Sequence, residues 1–445
     1  MNASFARDAR HAPHGAAARP PSETSDLLLL LLFGYVLVTV WRVQDLYPVL
    51  GTIRAPLLVA AASLVLYLLD TNPRRALAHI RTPLLYLALG MGLVVFASGV
   101  FGVWTGHTIH FLIDDFAKTL GMMVLLAASM RSAADVRKLA ALQVLGGLLY
   151  CVTILSRFSV GQGGRLGNLV FYDANDLAMM LVVTLPLVLL LARFASTRVV
   201  AVLATLSLPI YLITIVKTGS RGGFLALLAV VGYLLFGFKA FSRRARITAV
   251  VLGALGFAVV ASGQYWAMMG TMLNPTADYN FAGNARSGRM ELWKRGMGYL
   301  WQYPVFGVGA ANFQYAEGNL SDVASLRRYG IYYKTMVPHN SYVQIAAETG
   351  VVGIGLFVTL LIVAFKTASR LGRSAPPGRP TFEAAFGQSM VASLIGYCVA
   401  AFFLTQGFAA ILYVMFAALM ALSKPGISPE RPTTILRFNS ERGAP

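Results

Sequence analysis

The sequence predicts an all-α polytopic membrane protein. Three observations carry this: 57% of the 445 residues are hydrophobic while only 12% are charged, the mean hydropathy is +0.66, and the apolar residues gather in runs separated by polar connections. A soluble domain carries about 25% charged residues, so a single water-soluble core does not fit this composition. Helices are the required form, because a backbone in lipid must pair its own N–H and C=O groups within the segment.

About twelve runs approach the roughly 20 residues that cross a bilayer. They cover residues 27–41, 56–69, 83–103, 111–130, 139–155, 175–194, 199–217, 222–238, 247–262, 341–365, 387–404 and 408–422. Residues 1–26 read as a polar tail, 27–262 as the first nine membrane helices, 263–340 as one long loop containing helices, 341–422 as the last three membrane helices, and 423–445 as a second tail. The first run resembles a secretory signal, but Trp41-Arg42 stands where a small-residue cleavage site is needed, so it reads as a retained helix.

Orientation follows from the basic residues of alternate connections. One set holds Arg74, Arg75, Arg81, Arg131, Arg137, Lys138, Arg243, Arg244, Arg246, Arg370 and Arg373, which places it, and both tails, in the cytoplasm. The long loop then lies outside, where its own Arg286, Arg289, Lys294, Arg295, Arg327, Arg328 and Lys334 break the rule and call for a reason. The formal charge of +19 is otherwise explained by this asymmetry and by anionic membrane lipids, and no nucleic-acid motif is present.

Several chemistries are absent. No Walker phosphate loop appears, so the chain does not read as hydrolysing a nucleoside triphosphate. There is no H-E-x-x-H and no Cys/His cluster, and Cys151 and Cys398 both fall inside predicted helices, so neither a metal, a cofactor nor a disulfide framework is expected. Asp278, Glu291, Glu317 and Asp322 are too scattered in the sequence to suggest a glycosidase pair.

What remains is a set of basic and amide residues at the ends of helices. In Lys217-Thr-Gly-Ser-Arg221, two cations flank a glycine turn suited to a diphosphate; a snorkelling pair is the rival reading. Residues 283–313 combine Arg286 and Arg289 with an aromatic stripe, Met290, Trp293, Met297, Leu300 and Trp301, at helical spacing, and end in a Pro304-x-x-Gly307-x-Gly309 turn. His339 stands just before a membrane helix that Asn340 or Ser341 can cap, with Ser341 and Gln344 at capping-box spacing. The positive end of that helix favours a neutral imidazole, which makes His339 a candidate general base rather than a mere interface anchor. Arg165 precedes Asp173-Ala-Asn175, where Asp173 or Asn175 can cap a helix or bind sugar hydroxyls. Asp114 and Lys118, spaced i,i+4 in an apolar helix, read as a self-neutralising pair.

Taken in order, Asp173-x-Asn175, Arg221, Arg289 within R-M-E-L-W, the Pro304 to Gly309 turn and Pro338-His339-Asn340 resemble the O-antigen ligase and polymerase superfamily over about residues 172–355. The resemblance implies a GT-C type glycosyltransferase of the bacterial inner membrane, metal-independent, with its active site facing the periplasm. It implies a donor glycan on undecaprenyl diphosphate and, for a ligase, lipid A-core as acceptor. His339, Arg221 and Arg289 would then be catalytic, and Lys217, Arg165, Asn175, Arg286 and Asn340 would bind substrate. The basic loop suits a phosphorylated acceptor and favours the ligase. A polymerase or a protein O-oligosaccharyltransferase uses the same donor and is the alternative. A lipid or solute transporter is the reading from a different class, and it lacks the paired broken helices of inverted repeats.

Overall fold

The computed structural model describes residues 26–52, 54–157, 165–167, 172–274, 278, 280–281, 288–322, 324, 335–375 and 380–425. Among these, regular structure is helical. The principal helices are α1 (Leu27–Thr39), α2 (Ala55–Leu69), α3 (Pro83–Phe101), α4 (Thr105–Phe111), α5 (Ala117–Ser129), α6 (Ala133–Arg157), α7 (Ala174–Phe194) and α8 (Arg198–Thr218). They continue as α9 (Arg221–Gly237), α10 (Arg243–Val260), α11 (Gly263–Gly270), α12 (Arg289–Gln302), α13 (Phe313–Asn319), α14 (Ser341–Gly372), α15 (Phe382–Ala401) and α16 (Ala410–Leu422).

All twelve predicted runs coincide with helix, but they are not twelve full-length spans. Among the described residues, six helices, α3, α6, α7, α8, α14 and α15, are long and apolar enough to cross a bilayer; α10, with the helical residues that end at Leu273, forms a pair bent by 105°, and α1, α2, α9 and α16 are apolar but shorter. The reason is geometric: at about 1.5 Å rise per residue, a helix the length of α1 covers roughly 20 Å of a hydrocarbon core of about 30 Å. The predicted 111–130 helix is likewise divided, since a π-helical stretch, Leu112–Phe116, separates α4 from α5.

Side-chain oxygens set most of the helix starts. Asp173, Thr197, Ser220, Ser242, Ser262, Asn340 and Thr381 each accept backbone N–H groups at the first turns of α7, α8, α9, α10, α11, α14 and α15. Helix α7 is the centre of the molecule and packs against α6, α8, α9 and α15. Ser389 and Ser393 of α15 tie to it by donating to the Pro186 and Val183 carbonyls, the latter at 2.7 Å.

Helix α14 breaks at Gly350 (φ +67°). There the Pro304–Gly309 turn interlocks with it backbone to backbone: Val351 N–H donates to the Pro304 carbonyl at 2.8 Å, Val308 N–H to Ala347 at 2.9 Å and Gly309 N–H to Glu348 at 3.0 Å. A Cβ on Gly350 would collide with the Val305 carbonyl, and one on Gly307 (φ +70°) with the Glu348 backbone. Gly350→Ala is therefore expected to lower stability by more than the ~1–3 kcal/mol of left-handed strain alone. Gly355→Ala serves as the control, because a Cβ there meets nothing. The check is the thermal midpoint of both variants in detergent; an unchanged midpoint for Gly350→Ala would mean that the interlock contributes nothing.

Candidate functional site

The site is built on the connection between α15 and α16. Four helices begin against it. At α7, Asp176 accepts a hydrogen bond from Gln406 Nε2 at 2.8 Å. At α9, Gly222 lies so close to the Phe403 ring that a Cβ would not fit between them. At α12, Arg289 donates from Nη1 to the Phe403 carbonyl at 3.3 Å. At α14, His339 N–H donates to Thr405 Oγ1 at 2.9 Å, and Ser341 Oγ donates to the Leu404 carbonyl at 2.7 Å. Four positive helix ends thus face one short stretch of chain, with two arginines at their mouths.

His339 is held in an unusual backbone state, φ +49°. Its amide is fixed by Thr405, and the next residue, Asn340, accepts Tyr342 N–H and Val343 N–H with its side chain. Asn340 is therefore the cap, as the sequence allowed. The Ser341–Gln344 capping box does not form: Ser341 Oγ accepts Gln406 N–H at 2.9 Å and Gln344 Oε1 accepts Gly407 N–H at 3.1 Å, both from the α15–α16 connection. Burial, and then the Arg289 guanidinium, hold the His339 imidazole below the ordinary histidine value of 6.5, with Asp173 opposing. The ring is neutral at pH 7, and burial with a neighbouring cation gives the cause.

Arg221 is anchored through Nη1 alone, which meets the Asp278 carboxylate and, at 2.8 Å, Thr271 Oγ1. The other edge of its guanidinium has no partner among the described residues. Burial would raise the Asp278 carboxyl, but hydrogen bonds from Asn280 N–H and from Arg221 outweigh it and hold the group below its usual range. Asp278, read from the sequence as an isolated loop carboxylate, is thus the counter-charge that orients Arg221.

Arg165 donates from Nε to the Thr218 carbonyl and from Nη2 to Asn175 Oδ1, both at 3.0 Å, while Leu166 N–H donates to the Lys217 carbonyl at 2.8 Å. Arg165, Asn175 and Lys217 therefore gather where α8 ends and α7 begins. Asn175 spends its amide on Arg165 and Asp173, and it is Asp173 that caps α7. Arg286, Arg327, Arg328 and Lys334 fall outside the described residues.

The aromatic stripe of α12 is not its packing face. Leu292, Gly296 and Tyr299 are buried, whereas Trp301 is 78% exposed. Trp293 instead steadies the site, since its Nε1–H donates to the Pro338 carbonyl at 2.8 Å and its ring packs edge-on against Phe402. Arg295, a basic residue of the same helix, makes a structural pair with buried Glu317, which also accepts from Tyr299.

Sequence reasoning missed Phe403, Thr405 and Gln406, the residues around which everything else is arranged. Among the described residues, no three His, Cys, Asp or Glu side chains gather as a metal would require.

The protein-family comparison falls on this region. Residues 206–358 match the family model described as O-antigen ligase. Over this segment the chain is similar to the O-antigen ligase family. The segment takes in Lys217, Arg221, Arg289, His339 and the Gly350 interlock. An uncharacterized protein of Haemophilus influenzae is 20% identical over 221 residues, 48% of this chain. The matched stretch spans about half, 54%, of that relative's length.

Proposed function

We propose that this protein is an O-antigen ligase of the GT-C type. It would transfer a polysaccharide from undecaprenyl diphosphate to a hydroxyl of lipid A-core, on the periplasmic face of the bacterial inner membrane, without a metal and with inversion. The observation that carries the reading is the convergence of four helix N-termini, Arg221 and Arg289 on the residues that hold a neutral His339. A lipid diphosphate is already activated, so the chemistry left to the protein is to bind the dianion, stabilise the charge that grows as it leaves, and take one proton.

In the proposed step His339 removes the proton of the acceptor hydroxyl as its oxygen bonds to the anomeric carbon. The bond from that carbon to the diphosphate oxygen breaks in the same displacement, and the electron pair leaves with the diphosphate. Arg289 and the open edge of Arg221 bind that leaving group. Lys217, Arg165 and Asn175 border the donor side, Asn340 acts by fixing His339, and Arg286 adds charge to the loop. The loop 263–340 then faces the periplasm, with the tails 1–26 and 423–445 in the cytoplasm.

The test is transfer by purified protein in detergent with a chelator present, given an undecaprenyl diphosphate-linked glycan with or without lipid A-core. Product on lipid A-core is expected. Longer carrier-linked chains formed without that acceptor would make the enzyme a polymerase and overturn the ligase reading.

The pH profile follows from His339. A base must be deprotonated to act, and burial with Arg289 lowers its pKa from 6.5, so the acid limb of kcat/KM is expected below pH 6.5. A limb centred above that value would remove His339 from the role.

A further inference from the structure

Beside the site lies a crevice of about 600 Å3 that the proposed mechanism does not use. Its lining combines apolar residues, Val38, Pro56, Leu57, Ala60 and Ile411, with the charged residues Arg42, Arg54, Asp114, Asp115 and Lys118. Gln406 and Phe408 form the wall shared with the α15–α16 connection. Along that connection the contacts come in order: Phe403 meets Arg289 and Gly222, Thr405 meets His339, and Gln406 and Phe408 face the crevice. Along this connection, the residue that holds His339 thus lies between the contact of Arg289 and the residues that line the cavity.

Of these charged groups, three are paired and two are not. Asp114 is engaged by Lys118 at 3.2 Å and by His110 at 3.0 Å, and Arg42 by Asp45. The exposed Arg54 and Asp115 side chains have no partner among the described residues. Both arginines sit in the left-handed region, φ +47° for Arg42 and +49° for Arg54, a conformation that non-glycine residues adopt at a cost. Asp115 projects from the π-helical stretch Leu112–Phe116, a distortion that often accompanies a functional group.

We infer that this crevice binds the acceptor, an amphiphilic anionic glycolipid. Phosphate groups on its sugars would meet Arg54 and Arg42, its hydroxyls would meet Asp115, and its apolar part would lie on Pro56, Leu57 and Ala60. The inference rests on the ligase reading and adds the acceptor's place to it. An inverting displacement needs the acceptor oxygen and the leaving diphosphate on opposite sides of the anomeric carbon, so the acceptor needs a place separate from the arginines, and a crevice bordered by Gln406 and Phe408 rather than by Arg221 or Arg289 offers one.

Arg54→Glu reverses an unpartnered charge in the lining, and Ala60→Trp fills part of the crevice. With lipid A-core as the varied substrate, each is expected to raise the acceptor KM about tenfold, the loss of one charge-assisted or well-packed contact. The donor KM should stay constant, which also shows that the variants are folded. If the wild type transfers to lipid A-core and both variants keep its KM, or change the donor KM instead, the crevice is not the acceptor site. If the wild type makes no lipid A-core product at all, the ligase reading itself fails.

Discussion

Replacing His339 is expected to leave donor binding intact and to reduce transfer by about 10²–10⁴-fold, the range that general-base help supplies. The choice of substitution matters because His339 has φ +49°. Alanine there keeps the left-handed strain but has no side chain that favours the conformation, so a loss of activity would have two explanations, a shifted backbone or the missing base. Asparagine tolerates the left-handed region and cannot act as the base, so His339→Asn isolates the proton transfer. Thr405 and the Asn340 cap should hold its backbone as they hold the histidine. The measurement is single-turnover transfer beside equilibrium binding of an undecaprenyl diphosphate analogue. If His339→Asn binds donor and transfers at near the wild-type rate, the base is elsewhere; if it no longer binds donor, His339 belongs to the diphosphate site.

Much of this site was legible because its signals are local. A histidine followed by a capping residue, an Asp-x-Asn before an apolar run, and arginines at helix starts are each readable within a few residues, and His339, Asp173, Arg221 and Arg289 stand where those signals put them. The α15–α16 connection was not legible. Thr405 and Gln406 are neutral, occur in a short stretch without periodicity, and matter only because α7, α9, α12 and α14 arrive there from distant parts of the chain. The same holds for the Pro304–Gly309 turn, whose glycines announce a tight turn but not its partner, the break at Gly350. Charge partners across the chain were equally hidden: Asp278 is remote from Arg221 in sequence, and its pairing turns an apparently loose cation into an oriented one. The apolar runs showed where helices lie, and the helix ends, fixed by caps and by the π-helical stretch, showed which are long enough to span.

Arg289→Lys is expected to lower kcat/KM by about 10²-fold although the charge is kept, a loss on the scale of removing one donor from a preorganised oxyanion site. Arg289 is the first residue of α12, and its Nη1 already holds the Phe403 carbonyl. A guanidinium can do this with one nitrogen while a second faces the diphosphate, because its donors diverge from a rigid plane. An ammonium on a flexible stem is a point charge and cannot serve both partners from fixed directions. The substitution also separates two roles. Arg289 lowers the His339 pKa by like-charge repulsion, and lysine preserves that repulsion, so the acid limb of the pH profile should stay in place while the rate falls. Arg289→Ala removes it, so the His339 pKa should rise and the limb should move to higher pH on top of the loss in rate. Equal transfer by the lysine variant and the wild type would show that charge alone suffices and that the fork at Phe403 is only structural. A limb unmoved in the alanine variant would show that Arg289 does not tune the base.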